Sequence, residues 1–171
     1  MKSAVFPVVA SLALFTVGCG TPESGPDAGG NSCPAGTTVF AFDGIYTDVA
    51  GSNVSDGCGL GLTSTSFSAS RTVEFDKTSG VVTITNSETS ALLGSGPVKC
   101  NNGTLTYGPA MLQDGSCNWT TKRSIVFKAT GDNALTVNVT DERSDTKQVP
   151  GGPACSQPAS CTIGYTLTMT K

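Results

Sequence analysis

From residue 37 onward the apolar residues recur at every second position, and this period constrains the fold more than any other feature of the chain. In SFSASRTVEFD, Phe67, Ala69, Val73 and Phe75 fall on one face, while Ser68, Ser70, Thr72 and Glu74 fall on the other. ALTVNVTD sets Leu135, Val137 and Val139 against Thr136, Asn138 and Thr140, and TIGYTLTMTK sets Ile163, Tyr165, Leu167 and Met169 against a row of threonines. Side chains leave a strand alternately to its two faces, so this pattern is that of strands with one face on a core and one in water. No segment shows the 3.6-residue period of an amphipathic helix. The expected fold class is all-β.

The segments between the strands set the topology. FDKTSGVVTI, KCNNGTLTY (with Asn102-Gly103 as the expected turn) and KATGDNALTV each place a short turn between two alternating runs. Such spacing specifies hairpins. Consecutive hairpins form an antiparallel meander, and residues 37–171 hold about eight strands at ordinary strand length. A meander removes its exposed edges by closing into a small barrel, the favoured form here, with a curved two-sheet sandwich as the alternative. FDGIYTD, with Gly44 and Tyr46, resembles the Gly-x-aromatic opening of lipocalin-like barrels. That resemblance implies a barrel with an internal ligand pocket.

Seven cysteines occur, and the first is set apart from the rest. Lys2 and the apolar run Ala4–Val17 read as a secretory signal over residues 1–18, too short to span a bilayer as a helix. Thr16-Val17-Gly18-Cys19 resembles the lipobox of bacterial lipoproteins, matching at Val17, Gly18 and Cys19 and departing at Thr16, where that family usually has an aliphatic residue. The resemblance covers the first twenty residues only. It implies that Cys19 becomes N-terminal and carries lipid (palmitate among the acyl chains). Gly20 in place of an inner-membrane retention aspartate implies the outer membrane. Residues 19–32 contain GTPESGPDAGGNS, the composition of a flexible tether.

The remaining six cysteines, Cys33, Cys58, Cys100, Cys117, Cys155 and Cys161, form an even set in an exported chain and are expected as three disulfides stapling a domain over residues 33–171. Proximity along the chain favours Cys33–Cys58, Cys100–Cys117 and Cys155–Cys161, with the other pairings left open. The absence of any C-x-x-C pair and of any histidine argues against a structural zinc site.

Charge and residue types narrow the function. A net charge of −3 with no basic cluster excludes nucleic acid as an expected partner. Without histidine the chain holds no Ser-His-Asp or Cys-His system, and no glycine-rich phosphate loop opens a helix. Asp43, Asp48, Asp141, Glu142 and Asp145 are candidates for acid–base work or, in DERSD, for calcium. They read as soluble loop carboxylates, and neither a metal nor a cofactor is expected. The four Asn-x-Ser/Thr triplets, at Asn53, Asn102, Asn118 and Asn138, read as a product of threonine-rich composition.

Two arginines stand out. Arg71 shares the parity of Phe67, Val73 and Phe75, and Arg123 that of Trp119, Ile125 and Phe127. An inward charge needs a carboxylate, an anionic ligand or access to water. Both are expected near strand ends, with stems on the core and guanidinium groups in solvent. If they converge instead on one cavity, they become ligand-binding candidates. The expected function is that of a non-enzymatic outer-membrane lipoprotein, held to the membrane by its lipid, whose β domain contacts other envelope proteins in assembly, surface or motility-type machinery. The alternative is a lipocalin-like carrier of a small anionic or apolar ligand.

Overall fold

In a computed structural model the described residues are 33–171. The signal segment 1–18, Cys19 and the tether 19–32 lie outside them. Nine strands form one antiparallel sheet: β1 (Gly44–Tyr46), β2 (Asp48–Asp56), β3 (Arg71–Asp76), β4 (Val81–Asn86), β5 (Leu92–Lys99), β6 (Asn102–Gln113), β7 (Cys117–Gly131), β8 (Ala134–Gln148) and β9 (Cys161–Thr170). The sheet order is β1-β3-β4-β5-β6-β7-β8-β9-β2. From β3 to β9 every strand pairs with its successor, as the expected meander requires.

Closure comes from the first stretch of chain. Strands β1 and β2 are the two edges of the sheet, yet only Thr47 separates them. One continuous segment therefore pairs with β3 on one side (Tyr46 opposite Arg71) and with β9 on the other (Asp48 opposite Thr170). The sheet curls into a nearly closed barrel and leaves little free edge for pairing with other chains.

The alternation read from the sequence is the inward face. Leu135, Val137, Leu167 and Met169 are fully buried, as are Ile125 and Phe127, and with Val82, Ile84 and Leu105 they fill the barrel with side chains. Inward alternation begins later in β3 than expected. Residues Ser64–Phe67 form a short 3-10 turn, and the strand starts only at Arg71. Phe67 still reaches the interior, stacked on Tyr165 with ring centres 3.9 Å apart.

The two ends of the barrel are built differently. At one end lie the β3–β4, β5–β6 and β7–β8 turns and the segment before β1. The β5–β6 hairpin turns at Cys100 and Asn101, both with positive φ (50° and 71°), two residues earlier than the expected Asn102-Gly103. Gly103 serves close packing instead, since a Cβ there would meet the Pro97 carbonyl oxygen at 2.4 Å. Asn101 uses its whole side chain on the N-terminal segment: Oδ1 accepts from Phe40 N at 2.9 Å, and Nδ2 donates to Thr38 O at 2.7 Å. Asp132 accepts from Ala41 N, and Lys171 Nζ donates to Ala41 O and Asp132 O. Phe42 thereby enters the barrel against Phe75 and Phe127, at ring-centre distances of 5.2 and 5.1 Å. This end is sealed.

Three disulfides are present, with pairings that differ from those chain proximity favoured: Cys33–Cys100, Cys58–Cys161 and Cys117–Cys155. The reason is the barrel itself. Cys58 follows β2 and Cys161 opens β9, which are ladder neighbours despite a sequence separation of 103. Cys33 precedes the sealing segment and meets the β5–β6 turn, while Cys117 opens β7 below the β8–β9 loop that carries Cys155.

Candidate functional site

At the other barrel end the inward positions turn polar. Arg71 opens β3, Arg123 continues the inward row of β7 above Ile125 and Phe127, and Asp141 continues the row Leu135-Val137-Val139 of β8. Register places Arg123 directly opposite Asp141, and Arg123 Nη2 donates to Asp141 Oδ2 at 2.9 Å. The other Asp141 oxygen accepts a hydrogen bond from the fully buried Thr121 hydroxyl. Arg123 Nη1 donates to Leu93 O at 3.1 Å, and its guanidinium carbon sits 5.3 Å from the Tyr107 ring centre. Asp141 was read from the sequence as a loop carboxylate; it is an inward strand residue and the counter-ion of Arg123.

Arg71 is different. It is buried, with 7% of its surface exposed, and no carboxylate among the described residues forms an ion pair with it. Its Nη1 donates to the backbone carbonyls of Ala69 and Ser70. Burial depresses its pKa below the ordinary arginine value, and the Arg123 charge pushes the same way; Tyr165 and Glu88 act against them. The Tyr165 phenol, beside both arginines and Asp141, is pushed up, chiefly by burial.

The two arginines meet at one cavity. It measures about 170 Å³ and is lined by Arg71, Asn86, Ala91, Leu92, Leu93 and Arg123. Both arginines were expected at strand ends with their stems on the core; Arg71 does open β3, and although only 7% of its surface is exposed its guanidinium borders this cavity. Asn86 holds its amide orientation through Oδ1, which accepts from Glu88 N and Thr89 N at 2.9 and 3.0 Å, leaving Nδ2 as a donor. A second cavity of about 230 Å³ lies where β6, β7 and β8 run on past the barrel, against Trp119, Met111 and Lys147. There Arg143 lies over the Trp119 ring at 4.5 Å, and Met111 is 78% exposed. Sequence reading did not single out Arg143 or Met111; for Arg143 the parity with Asp141 along β8 was the available signal.

The remaining candidates do not assemble. Asp43, Glu142 and Asp145 are exposed, and Asp48 is exposed and accepts from the Thr170 hydroxyl. DERSD lies within β8 rather than in a loop, with Asp141 inward and Glu142 outward. Among the described residues no three cysteine or carboxylate side chains group as metal ligands would. All six candidate cysteines are in disulfides. What the arginine end can do chemically is present donors and positive charge to an acceptor. Comparison with protein-family models, with curated proteins and with solved structures finds no match for this chain.

Proposed function

We propose that the chain is a non-enzymatic envelope lipoprotein, anchored in the outer membrane through Cys19, whose barrel is a rigid module that presents its arginine end to other envelope proteins. One observation carries this reading. Cys33 is stapled to Cys100 at the sealed end, so the tether from Cys19 joins the barrel at that end, opposite the Arg71–Arg123 end. Antiparallel strands put successive connections at opposite ends, which makes the separation of anchor and exposed end a consequence of topology. The filled interior agrees with a module that works through its outside.

The test is Cys19→Ser in the full chain. The protein is expected to move from the membrane fraction to a soluble one, or to stall as an uncleaved precursor, since several acyl chains at about 0.8 kcal/mol per buried methylene supply the anchoring. A processed Cys19→Ser protein that still partitions fully with membranes contradicts the reading.

A second reading, a carrier of a small anionic ligand, is favoured by the convergence of Arg71 and Arg123 on one cavity. Its volume lies below the roughly 300 Å³ at which drug-sized pockets begin, so such a ligand is small.

A further inference from the structure

We infer that the cavity between Arg71 and Arg123 is a binding site for a small monocarboxylate with a short aliphatic tail. The inference rests on the second reading above and names its ligand class; it does not depend on the lipid anchor.

The charges come first. Two guanidinium groups line the cavity, and one buried carboxylate, Asp141, is committed to Arg123 and Thr121. Glu88 is the other acid that acts on Arg71, from beyond ion-pair distance. A buried cation without a counter-ion is costly to maintain, and a bound anion removes that cost.

The hydrogen-bond inventory agrees. Arg71 has five N–H donors, of which Nη1 serves the Ala69 and Ser70 carbonyls, while Nε and Nη2 donate to no described group. Asn86 contributes Nδ2 because its oxygen is held by Glu88 and Thr89. A wall of donors calls for a ligand that only accepts, which means an ionised oxyanion. The planar guanidinium fork matches a carboxylate in two-point contact.

The remaining walls choose among oxyanions. Leu93 is a buried apolar wall with no free carbonyl, since its oxygen takes Arg123 Nη1, and Ala91 and Leu92 form an exposed apolar rim. A phosphate or sulfate, polar on every side, leaves those walls against oxygen. A carboxylate with a few methylenes meets donors at one end and carbon at the other. At about 170 Å³ the cavity limits the ligand to a short chain, of which pentanoate is a representative.

The test is a titration of the full chain in detergent, followed by NMR on the Leu92 and Leu93 methyls and the Arg71 Nε–H. The probes are sodium pentanoate, the neutral isostere pentanamide and inorganic phosphate. Saturable shifts with pentanoate at millimolar concentration are expected, with none from pentanamide. Arg71→Met is expected to weaken pentanoate at least tenfold, the span of a charged hydrogen bond. Arg71→Lys, which keeps the charge in a compact form, is expected to fall between the two and covers the case in which Arg71→Met fails to fold. Absence of any pentanoate or phosphate response in the wild-type chain overturns both the site and the carrier reading. Pentanoate shifts that persist undiminished in Arg71→Met and Arg71→Lys overturn this site alone. A response to phosphate with none to pentanoate overturns the ligand class and leaves the anion carrier standing.

Discussion

The sealed end and the arginine end belong to one barrel and use opposite chemistry. At the sealed end every inward group is satisfied within the chain: Phe42 meets Phe75 and Phe127, Asn101 spends both amide atoms on Thr38 and Phe40, and Lys171 covers Ala41 and Asp132. At the arginine end Arg123 is balanced by Asp141, whereas the more deeply buried Arg71 forms no ion pair with a carboxylate among the described residues. Stability alone favours the first kind of construction, because an apolar layer needs no partner. An unpaired buried cation is therefore the place where the fold departs from what folding requires. Departures of that kind mark sites of function.

The comparison can be broken at either end. The largest effect is expected from Phe127→Ala, which removes a fully buried ring from the contact with Phe42 and leaves a cavity at the sealed end; unfolding free energy should fall by about 3–5 kcal/mol by denaturant titration. Next comes Arg123→Met, which leaves Asp141 buried with only Thr121 as a partner, and a loss of about 3 kcal/mol is expected. Replacing Cys33 and Cys100 together by Ala releases the N-terminal segment from the β5–β6 turn. A loss of about 2–4 kcal/mol is expected, with ligand response at the arginine end retained.

A smaller effect is set by pH. The Tyr46 hydroxyl donates to Phe42 O at 2.6 Å, and burial first, then Asp43, pushes its pKa up to about 12. In the unfolded chain a tyrosine ionises near pH 10, so the unfolded state loses its proton first as pH rises. The contribution of Tyr46 is whole below about pH 10 and is lost as pH climbs toward about 12. Denaturant midpoints of the wild type should fall across that window, and those of Tyr46→Phe should fall less. Tyr165, also raised by burial, supplies a share that persists in the variant.

Much of this architecture is legible in the residues. Leu135-Val137-Val139 and Ile163-Tyr165-Leu167-Met169 give the inward faces of β8 and β9 outright, because a period of two leaves no freedom about which side is buried. The hairpins were legible as places but less so as residues: Cys100 takes a positive φ that its side chain does not advertise, and Asn102-Gly103 opens the following strand. Disulfide pairing was illegible because it is a property of the closed barrel, in which β2 and β9 become neighbours. The site was half legible. Parity marked Arg71 and Arg123 as inward, and the same rule applied one step past Val139 would have marked Asp141, which a loop reading of DERSD concealed. That one arginine is paired and the other is not depends on register across the sheet, which no single strand reveals.

The most direct measurement is the unfolding free energy of Arg71→Met beside that of Arg123→Met, in the full chain without added anion. If Arg71 is a cation held for a ligand, its replacement by an apolar side chain of similar length costs nothing and gains up to about 1 kcal/mol; the Ser70 carbonyl keeps its bond from Ser87 N, and the carbonyl of half-buried Ala69 is left to water. The account predicts opposite signs for the two variants. A loss at Arg71→Met as large as that at Arg123→Met would contradict it, because Arg71 would then be part of what holds the barrel together.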